Sequence, residues 1–342
     1  MFVGDSLQRR WYASEAPLAW WTLPLAGLYG GVTGLRRALY RHGVMRATRL
    51  PVPVAVVGNI SVGGTGKTPL VIALVEALRA RGFKPGVVSR GHGGSARGPM
   101  LLDASPDPAI VGDEPALIRL RTGIPVAVGA KRAAAARLLL GEGVEVILAD
   151  DGLQHYALAR DVEICVVDGA RGFGNGWLLP AGPLREPRTR LRDVNFVVCN
   201  VGEADARAMP TASGKTPNDR CLDAAIAMRV RVGEARSLRS GEARPLARFA
   251  ATRVHAVAGI GNPARFFAAL RAIGVVPVEH AFTDHHHYAV ADLDFGDGMP
   301  VLMTEKDAVK CRAFAQDGWW SVPVTAVLPE SFLDAFTARL NG

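Results

Sequence analysis

The sequence predicts an α/β protein with two units: an α/β/α domain built on a mostly parallel sheet, and a smaller C-terminal α/β domain. Three observations support this fold class. Short apolar runs alternate with helical patterns from about residue 50 to residue 200, a glycine-rich turn joins the first run to the first helical pattern, and a second alternation begins at Val254. The length of 342 residues is enough for two domains with sizeable cores.

Six apolar runs are the strand candidates of the first domain. The first of them, 53–57, is rich in valine, as expected for a buried strand. The helical pattern that follows, 69–81, repeats apolar residues every three to four positions and ends at Gly82. The full set of predicted strands is 53–57, 85–89, 125–128, 144–149, 162–168 and 194–201.

Pattern and composition divide the chain into four segments. These are an N-terminal basic amphipathic segment (1–50), the larger α/β domain (51–225), a β-ribbon linker (226–250) and the smaller α/β domain (251–342). Residues 211–220 have the composition of a loop. The Gly-Lys-Thr at 214–216 lacks the preceding strand and the spacing of a nucleotide motif, so we interpret it as a chance match.

Composition argues against several classes of protein. Apolar residues make up 49% of the chain, which is typical of a globular protein rather than a disordered one. The four cysteines form no C-x-x-C pair, which argues against a disulfide framework or a structural zinc site and fits a reducing cytosol. We predict no signal peptide. We also predict no nucleic-acid partner, because no basic module with interleaved aromatic residues occurs.

The N-terminal segment is basic and amphipathic. Of the net charge of +8, its 50 residues carry seven arginines against two carboxylates. A helix with Trp and Arg suits the headgroup layer of a membrane, but a core helix with a basic end explains the same pattern. The prolines and glycines between 17 and 34 weaken a transmembrane interpretation. The apolar face of the predicted helix consists of Leu18, Trp21, Leu25, Leu28, Val32, Leu35 and Leu39.

The stretch between the first strand and the first helix resembles a phosphate-binding loop, as in P-loop NTPases. Gly66-Lys67-Thr68 matches the end of the pattern G-x-x-x-x-G-K-[ST], but Ser61 stands where the first glycine is expected. Glycines let the backbone point N–H groups at phosphate oxygens, Lys67 can reach the β- and γ-phosphates, and Thr68 can bind Mg²⁺. A plain glycine-rich turn is the alternative. The predicted nucleotide-binding residues are Ser61, Val62, Gly63, Gly64, Thr65, Gly66, Lys67 and Thr68.

Two acidic pairs are candidates for the metal side of such a site. Asp150 and Asp151 directly follow the apolar run 144–149, where nucleotide-binding sheets place a carboxylate that holds Mg²⁺. Capping of a following helix is the alternative explanation for this pair. Asp113 and Glu114 open another helical pattern, where acidic residues are common for electrostatic reasons alone, so the spacing leaves their role open.

Seven motifs in series resemble the tetraacyldisaccharide 4′-kinase family, the lipid A 4′-kinases of Gram-negative bacteria. Each motif alone is weak, but the series covers nearly the whole chain in order and is highly specific. The family has Ser or Thr where other phosphate loops have the first glycine, so the resemblance implies a working nucleotide site at Ser61. The motifs are SVGGTGKTP (61–69), VVSRGHGG (87–94), GDEP (112–115), DDGLQH (150–155), GNGWLLPAGPLREP (174–187), FTDHHHY (282–288) and MTEKDAVK (303–310).

The resemblance implies ATP-dependent phosphorylation of the 4′-hydroxyl of tetraacyldisaccharide 1-phosphate, which gives lipid IVA and ADP, with Mg²⁺ as cofactor. Because the acceptor is a lipid, the resemblance implies a peripheral, monotopic enzyme on the cytoplasmic face of the bacterial inner membrane. It also favours the membrane interpretation of the segment 1–50. We expect the enzyme to be a monomer.

The resemblance implies catalytic roles for individual residues. Asp113 of the GDEP motif would act as the base, with His285 as its partner, and a neutral histidine can pass the proton on. His286 in the same triplet is a rival for this place. The cations expected to meet the charge on the transferred phosphoryl group are Lys67, Arg185 and Arg132.

The metal and the acceptor have their own predicted contacts. Thr68, Asp151 and Glu114 are the residues expected to hold Mg²⁺. A purely structural role is the alternative for Arg185, because it lies in a Pro/Gly-rich loop. The predicted substrate contacts are Arg185, Glu186 and Asp150.

Two other functions are alternatives: a P-loop GTPase and a membrane-bound regulatory ATPase without an acceptor. Guanine-binding proteins carry Asn/Thr-Lys-x-Asp after a strand. Here the apolar run 300–303 leads to Thr304-Glu305-Lys306-Asp307, where the spacing is wrong. This spacing disfavours GTP, but it assigns no role to the TEKD stretch.

Overall fold

A computed structural model describes residues 10–12, 19–201 and 225–342. Leu18, Cys221 and the predicted loop at 211–220, with its Gly-Lys-Thr, lie outside these residues.

Nine of the described strands form one mixed sheet, the first sheet, in the order β15-β8-β7-β6-β1-β5-β2-β4-β3. Neighbouring strands are parallel except at the two edges, where β15 pairs with β8 and β3 with β4 in antiparallel fashion. The predicted α/β fold with a mostly parallel sheet is confirmed, and each predicted strand occurs close to its predicted bounds. The strands are β1 (Val54–Gly58), β2 (Pro85–Ser89), β3 (Met100–Leu101), β4 (Val126–Val128), β5 (Val146–Asp150), β6 (Val162–Asp168), β7 (Phe196–Val201), β8 (Ile226–Val232) and β15 (Val324–Val327).

The described α-helices are α1 (Leu23–Arg41), α2 (Lys67–Ala80), α3 (Pro108–Val111), α4 (Asp113–Thr122), α5 (Arg132–Leu140), α6 (Pro263–Ala272), α7 (Val290–Leu293), α8 (Glu305–Cys311) and α9 (Glu330–Leu340). Helices α2, α4 and α9 pack on one face of the first sheet, and α5 packs on the other. Strands β1, β2 and β5 are therefore buried along their whole length. This burial on both faces explains why they appear in the sequence as continuous apolar runs.

Six further strands form the second sheet, in the order β10-β9-β14-β13-β11-β12. Strands β14, β13, β11 and β12 pair in parallel, as expected for a smaller α/β unit. Helix α6 packs on one face of this sheet and α8 on the other. The strands are β9 (Ala235–Ser237), β10 (Ala243–Arg244), β11 (Arg253–Ala258), β12 (Val276–Ala281), β13 (Val301–Thr304) and β14 (Trp319–Val322).

The division into domains stays a prediction, but the strand pairing differs from it in two respects. Residues 226–250 do not form one ribbon, because β8 pairs in parallel with β7 of the first sheet, whereas β9 and β10 belong to the second. The C-terminal β15 and α9 also return to the first sheet. Phe332 of α9 packs edge-on against Phe196 of β7, with ring centroids 5.2 Å apart. Burial of the Phe332 and Phe336 rings against the first sheet favours the return of the chain.

Helix α1 lies on the surface and exposes its apolar face. Of its residues only Ala26 is buried, so α1 is not a core helix. It is attached to the first unit through contacts on its other side: Arg37 pairs with Asp193, and the ring of Tyr40 lies 5.9 Å from that of Tyr156. Among the residues that the structure describes, no helix combines the length and the apolar character needed to cross a membrane.

Candidate active site

The phosphate-loop candidate lies at the carboxyl end of β1 and leads directly into α2. Parallel sheets bind ligands at this edge, near the point where the strand order reverses, and here β1 lies between β5 and β6. Gly63 and Gly66 have φ angles of 109° and 93°, in the left-handed region that glycine adopts easily. The loop N–H groups and the first N–H groups of α2 are therefore available for an anion.

Ser61 occupies the first-glycine position without backbone strain. It forms an isolated antiparallel bridge with Leu184, and the N–H of the next residue, Val62, donates to the Pro183 carbonyl at 2.8 Å. Its φ angle does not lie in the left-handed region. The backbone therefore does not require glycine at this position, which gives a physical reason for the serine.

Side chains from the first sheet hold the loop in place. The amide of Asn200, near the end of β7, donates to the Thr65 carbonyl at 3.0 Å. The amide of Asn59 lies 3.4 Å from both the Gly63 carbonyl and the Thr65 hydroxyl. A side chain at Gly66 would collide with the Asn200 amide. The loop conformation is thus fixed by β7 as well as by β1.

Asp150 ends β5 beside this loop and is fully buried. The Ser89 hydroxyl donates to its Oδ2 at 3.4 Å, while Oδ1 has no hydrogen-bond partner among the described residues. Burial, together with the negative charges of Glu114 and Asp151, raises the pKa of Asp150 to about 7. A buried carboxylate with an unpartnered oxygen beside a second carboxylate fits a divalent cation.

Asp151, in contrast, is held by cations of the protein itself. Its φ angle is 47°, Lys67 Nζ lies 3.4 Å from its Oδ1, and Arg185 Nη1 lies 3.3 Å from both carboxylate oxygens. Burial opposes ionisation, but Lys67, Arg185 and Arg132 bring the pKa of Asp151 below its ordinary value. In this arrangement Asp151 orients two cations beside the loop.

Asp113 of the GDEP motif contacts His285, which lies in the loop after β12 of the second sheet. Asp113 begins α4 and is 4% exposed, and His285 Nδ1 lies 3.0 Å from both of its carboxylate oxygens. The hydrogen bond to Asp113 raises the pKa of His285. Burial acts to raise the pKa of Asp113, but His285 and Lys306 bring it below its ordinary value. Both members of the pair line a cavity of about 210 Å³.

His286 takes a different place in the structure. Its Nε2 lies 3.2 Å from Asp292 Oδ2, and its ring packs against Phe282 and Tyr288. Its contacts therefore lie with residues 282–292 of the second unit. Of the two rival histidines, the structure brings His285 to Asp113.

The two residues of the LRE stretch differ in their contacts. Arg185 reaches Asp151 and so lies at the candidate site. Glu186 is buried and accepts hydrogen bonds from Gln154 Nε2 at 2.9 Å and from the Tyr156 hydroxyl. In this arrangement Glu186 supports the loops beneath the site through contacts within the protein.

Arg132 and Arg171 bring two further cations to the loop. Arg132 is buried at the start of α5 and donates to the Asp151 carbonyl at 2.7 Å. Arg171 donates from Nη2 to the Gly261 carbonyl at 2.9 Å, and its Nη1 would lie 3.4 Å from a Cβ at Gly63. Sequence reasoning does not find Arg171, because its position in a glycine-rich stretch gives no signal of where its side chain lies.

The TEKD stretch also reaches the site. Lys306 Nζ lies 3.1 Å from Glu114 Oε1, 3.0 Å from Asp284 Oδ1 and 3.7 Å from Asp113 Oδ2. Its partner Glu114 is 192 positions away in the chain. The sequence marks TEKD as a motif, but no local pattern shows which distant residues its lysine contacts.

Comparison with known proteins decides the family. Residues 18–341 match the family described as tetraacyldisaccharide-1-P 4′-kinase, LpxK. The chain belongs to this family. Tetraacyldisaccharide 4′-kinases from Stenotrophomonas maltophilia and Xanthomonas euvesicatoria are each 52% identical over 97% of this chain, and over 95% and 94% of their own lengths. The crystal structure of LpxK from Aquifex aeolicus in complex with ATP has a TM-score of 0.74 and 27% identity, and covers 93% of this chain and 98% of that chain.

Membership of the family gives the class of reaction. The chain is an ATP-dependent kinase that phosphorylates the 4′-hydroxyl of the tetraacyldisaccharide precursor of lipid A. The match extends over both sheets. The alternatives, a GTPase or a regulatory ATPase without an acceptor, are therefore not favoured.

Lys67 and Thr68 offer a direct test of the phosphate loop. We predict that Lys67→Ala or Thr68→Ala lowers phosphate transfer to the lipid acceptor at least about a hundredfold, because each removes an electrostatic or metal contact with the transferred group. The measurement is the initial rate of transfer, with folding checked by thermal melting.

A matched control for this test is Lys84→Ala. The Lys84 ammonium is exposed and lies 3.7 Å from Glu145. Lys84 directly precedes β2, at the amino ends of the parallel strands, whereas the loop lies at their carboxyl ends. Its loss should leave the rate unchanged. A Lys67→Ala variant with near-normal turnover and an intact fold would contradict the assignment of the loop.

Proposed function

We propose that the chain transfers the γ-phosphoryl group of ATP to the 4′-hydroxyl of tetraacyldisaccharide 1-phosphate, and so forms lipid IVA and ADP at a membrane surface. The main support is one set of contacts: His285 lies within hydrogen-bond distance of Asp113, and the next residue, Glu114, is close enough to Asp150 beside the phosphate loop to raise the pKa of Asp150. A nucleotide on the loop would then direct its terminal phosphate toward the pair. The ATP complex of the Aquifex aeolicus relative supports ATP as the donor.

The reaction requires a proton acceptor and a set of cations. The acceptor oxygen bonds to the γ-phosphorus while the bond from phosphorus to the ADP oxygen breaks, so the hydroxyl proton must leave. We assign this proton to the Asp113–His285 pair, in which Nδ1 of the imidazole lies 3.0 Å from the carboxylate and Nε2 lies 4.0 Å from Asp284 Oδ1, beyond hydrogen-bond distance. The cations that would meet the charge on the phosphoryl group are Lys67, Arg132, Arg171 and Arg185.

Mg²⁺ is the metal that the donor set fits. Asp150 offers a buried, unpartnered oxygen, and its pKa is raised by burial and by its acidic neighbours. We propose that Asp150 and Glu114, with Thr68 from the loop, would hold Mg²⁺, which neutralises charge on the β- and γ-phosphates when bound. Asp151, expected from the sequence to be a metal ligand, would instead position Lys67 and its neighbouring arginine. Asp150, expected from the sequence to contact the acceptor, would thus take the place beside Mg²⁺ that was expected for Asp151.

If Asp113 and His285 act as one unit, the reductions of kcat in their single variants should not multiply in the double variant. We predict that Asp113→Ala lowers kcat at least about a hundredfold with little change in the KM for ATP, because the pair serves the acceptor side. His285→Ala should lower kcat less, and the double variant should be about as slow as Asp113→Ala alone. Steady-state kinetics at saturating acceptor, with the ATP concentration varied, test this.

His286→Ala is the matched control for the pair. It removes a neighbouring imidazole but leaves the contact between Asp113 and His285 in place. It should retain most of the kcat. If the losses of the single variants multiply in the double variant, the two residues act independently and the pair is not a unit.

We propose that α1 lies in the headgroup layer of the membrane that holds the acceptor. Leu25, Leu28, Val32 and Leu35 form its outward face and are 53%, 66%, 58% and 63% exposed. Trp20, just before the helix, is 75% exposed. A continuous exposed apolar face with arginines at one end is typical of helices that lie in a membrane interface.

The proposal also includes the membrane face on which the enzyme works and its oligomeric state. ATP as donor and free cysteines both support the cytoplasmic face of the inner membrane, with peripheral attachment through α1. We also propose that the enzyme acts as a monomer.

Substitutions on the outward face of α1 test whether this face binds the membrane. We predict that the triple variant Leu28→Ser, Val32→Ser and Leu35→Ser lowers the binding constant for anionic lipid vesicles at least about a hundredfold, because each apolar side chain contributes about 1 to 2 kcal/mol when buried in lipid. Sedimentation with the vesicles measures this binding constant. The affinity for ATP and the melting temperature should stay close to those of the parent.

A charge variant completes this test. Arg41→Gln with Arg46→Gln removes two exposed cations near the end of α1, so its binding defect should shrink in high salt, whereas the defect of the apolar triple variant should not. If the apolar triple variant binds vesicles like the parent but melts several degrees lower, α1 serves the fold and not the membrane.

A further inference from the structure

The proposed catalytic pair is divided between the two sheets. Asp113 begins α4 on the first sheet, whereas His285 lies in the loop after β12 of the second sheet, with a φ angle of 61°. A hydrogen bond across such a junction is only as well aligned as the two elements that carry it. The relative position of α4 and this loop therefore decides whether the pair is in register.

Lys306 connects these two elements. Its ammonium lies 3.0 Å from Asp284 Oδ1, which precedes His285 in the chain, and 3.1 Å and 3.7 Å from Glu114 Oε1 and Asp113 Oδ2. Only 14% of the Lys306 side chain is exposed, so solvent screens these contacts weakly. A single ammonium, with three donors, thus joins three carboxylates from the two units.

The main chain around Lys306 is also held firmly. Lys306 lies in the first turn of α8, where the Thr304 hydroxyl donates to Asp307 Oδ2 at 2.6 Å and accepts the Asp307 N–H at 3.2 Å. Asp307 Oδ2 also accepts the Gly259 N–H at 2.9 Å. The start of α8 is therefore tied to the end of β11, and the Lys306 side chain extends from a fixed base.

We propose that Lys306 is a positioning residue for phosphoryl transfer: it holds Asp113 and Glu114 against the loop that carries His285, so that the acid–base pair is aligned before the acceptor binds. This inference rests on the proposed roles of Asp113 and His285. Lys306 acts through the pair and needs no contact with nucleotide or acceptor. The competing explanation is that its ion pairs only stabilise the junction between the units.

A second ion pair between the same two helices separates these explanations. Arg121 Nη1 of α4 lies 2.6 Å from Glu305 Oε1 of α8. Arg121 is near the far end of α4, about 12 Å along the helix from Asp113. Removing it weakens the junction without touching the pair, whereas removing Lys306 affects both.

The test compares Lys306→Met with Arg121→Met, since each replaces a cation by an apolar side chain. We expect Lys306→Met to lower kcat at least about tenfold. The KM for ATP should rise by a smaller factor, because the phosphate loop keeps its contacts and only Glu114, proposed to hold Mg²⁺, loses a partner. Arg121→Met should keep kcat within about threefold of the parent, even if both variants melt at a lower temperature. Lys306→Arg, which keeps the charge, should recover a large part of the lost kcat.

A spectroscopic readout separates alignment from stability. The proton between His285 Nδ1 and Asp113 should give a downfield proton resonance in the parent, identified by its loss in His285→Gln. We expect this resonance to persist in Arg121→Met and to shift or disappear in Lys306→Met. A role confined to stability would leave the resonance unchanged in every folded variant.

Asp284→Asn covers the case in which Lys306→Met does not fold. The Asp284 side chain is 40% exposed, and asparagine keeps its shape while removing the charge that attracts Lys306. We expect a loss of kcat of at least about threefold with the KM for ATP unchanged.

The proposal is overturned if Lys306→Met has a parent-like kcat. Where Lys306→Met does not fold, a parent-like kcat in Asp284→Asn overturns it instead. An equal loss of kcat in Arg121→Met and Lys306→Met also overturns it. The Asp113→Ala variant shows which idea has failed. If Asp113→Ala is slow, only the role of Lys306 is wrong. If Asp113→Ala is also parent-like, the proposed acid–base pair itself fails.

Discussion

The hydrogen bond between Asp113 and His285 is the contact on which the site depends, because it spans the two sheets. On the first sheet, Gly112 turns the chain so that Asp113 can begin α4. It has a φ angle of 91°, and a Cβ there would lie 2.6 Å from the His92 carbonyl oxygen. On the second sheet, the loop after β12 supplies the histidine. Nucleotide binding is thus assigned to the first unit, whereas proton removal is shared between the two units, which must be held in register.

Charge is distributed unevenly around the phosphate loop. Asp151 is already paired with Lys67 and Arg185, and its pKa is held below its ordinary value although burial opposes this. Asp150 lies one residue earlier in the chain and forms no ion pair within 4 Å among the described residues, and its pKa is raised to about 7. A metal–nucleotide complex matches this difference, because the cation suits the unpaired carboxylate and the phosphates suit the lysine and arginine side chains.

The sequence predicts the first sheet well, because strands buried on both faces appear as apolar runs with little ambiguity. The family resemblance of two local motifs also singles out Asp113 and His285, which the structure brings within hydrogen-bond distance. It does not predict where α9 packs: the spacing of Phe332 and Phe336 shows one apolar helix face, but not which sheet will cover it. Lys306 is missed for a related reason, since its three carboxylates are brought together only by the tertiary fold.

The central claim is that the phosphate goes to a lipid and not to water. The most direct measurement uses ATP labelled in the γ-phosphate, Mg²⁺ and tetraacyldisaccharide 1-phosphate in mixed micelles, followed by lipid extraction and phosphorus NMR of the product. We expect the label to enter the extracted lipid as a second phosphomonoester, at the 4′ position, and only when the acceptor is present. Label released solely as inorganic phosphate, at a rate independent of the acceptor, would contradict it.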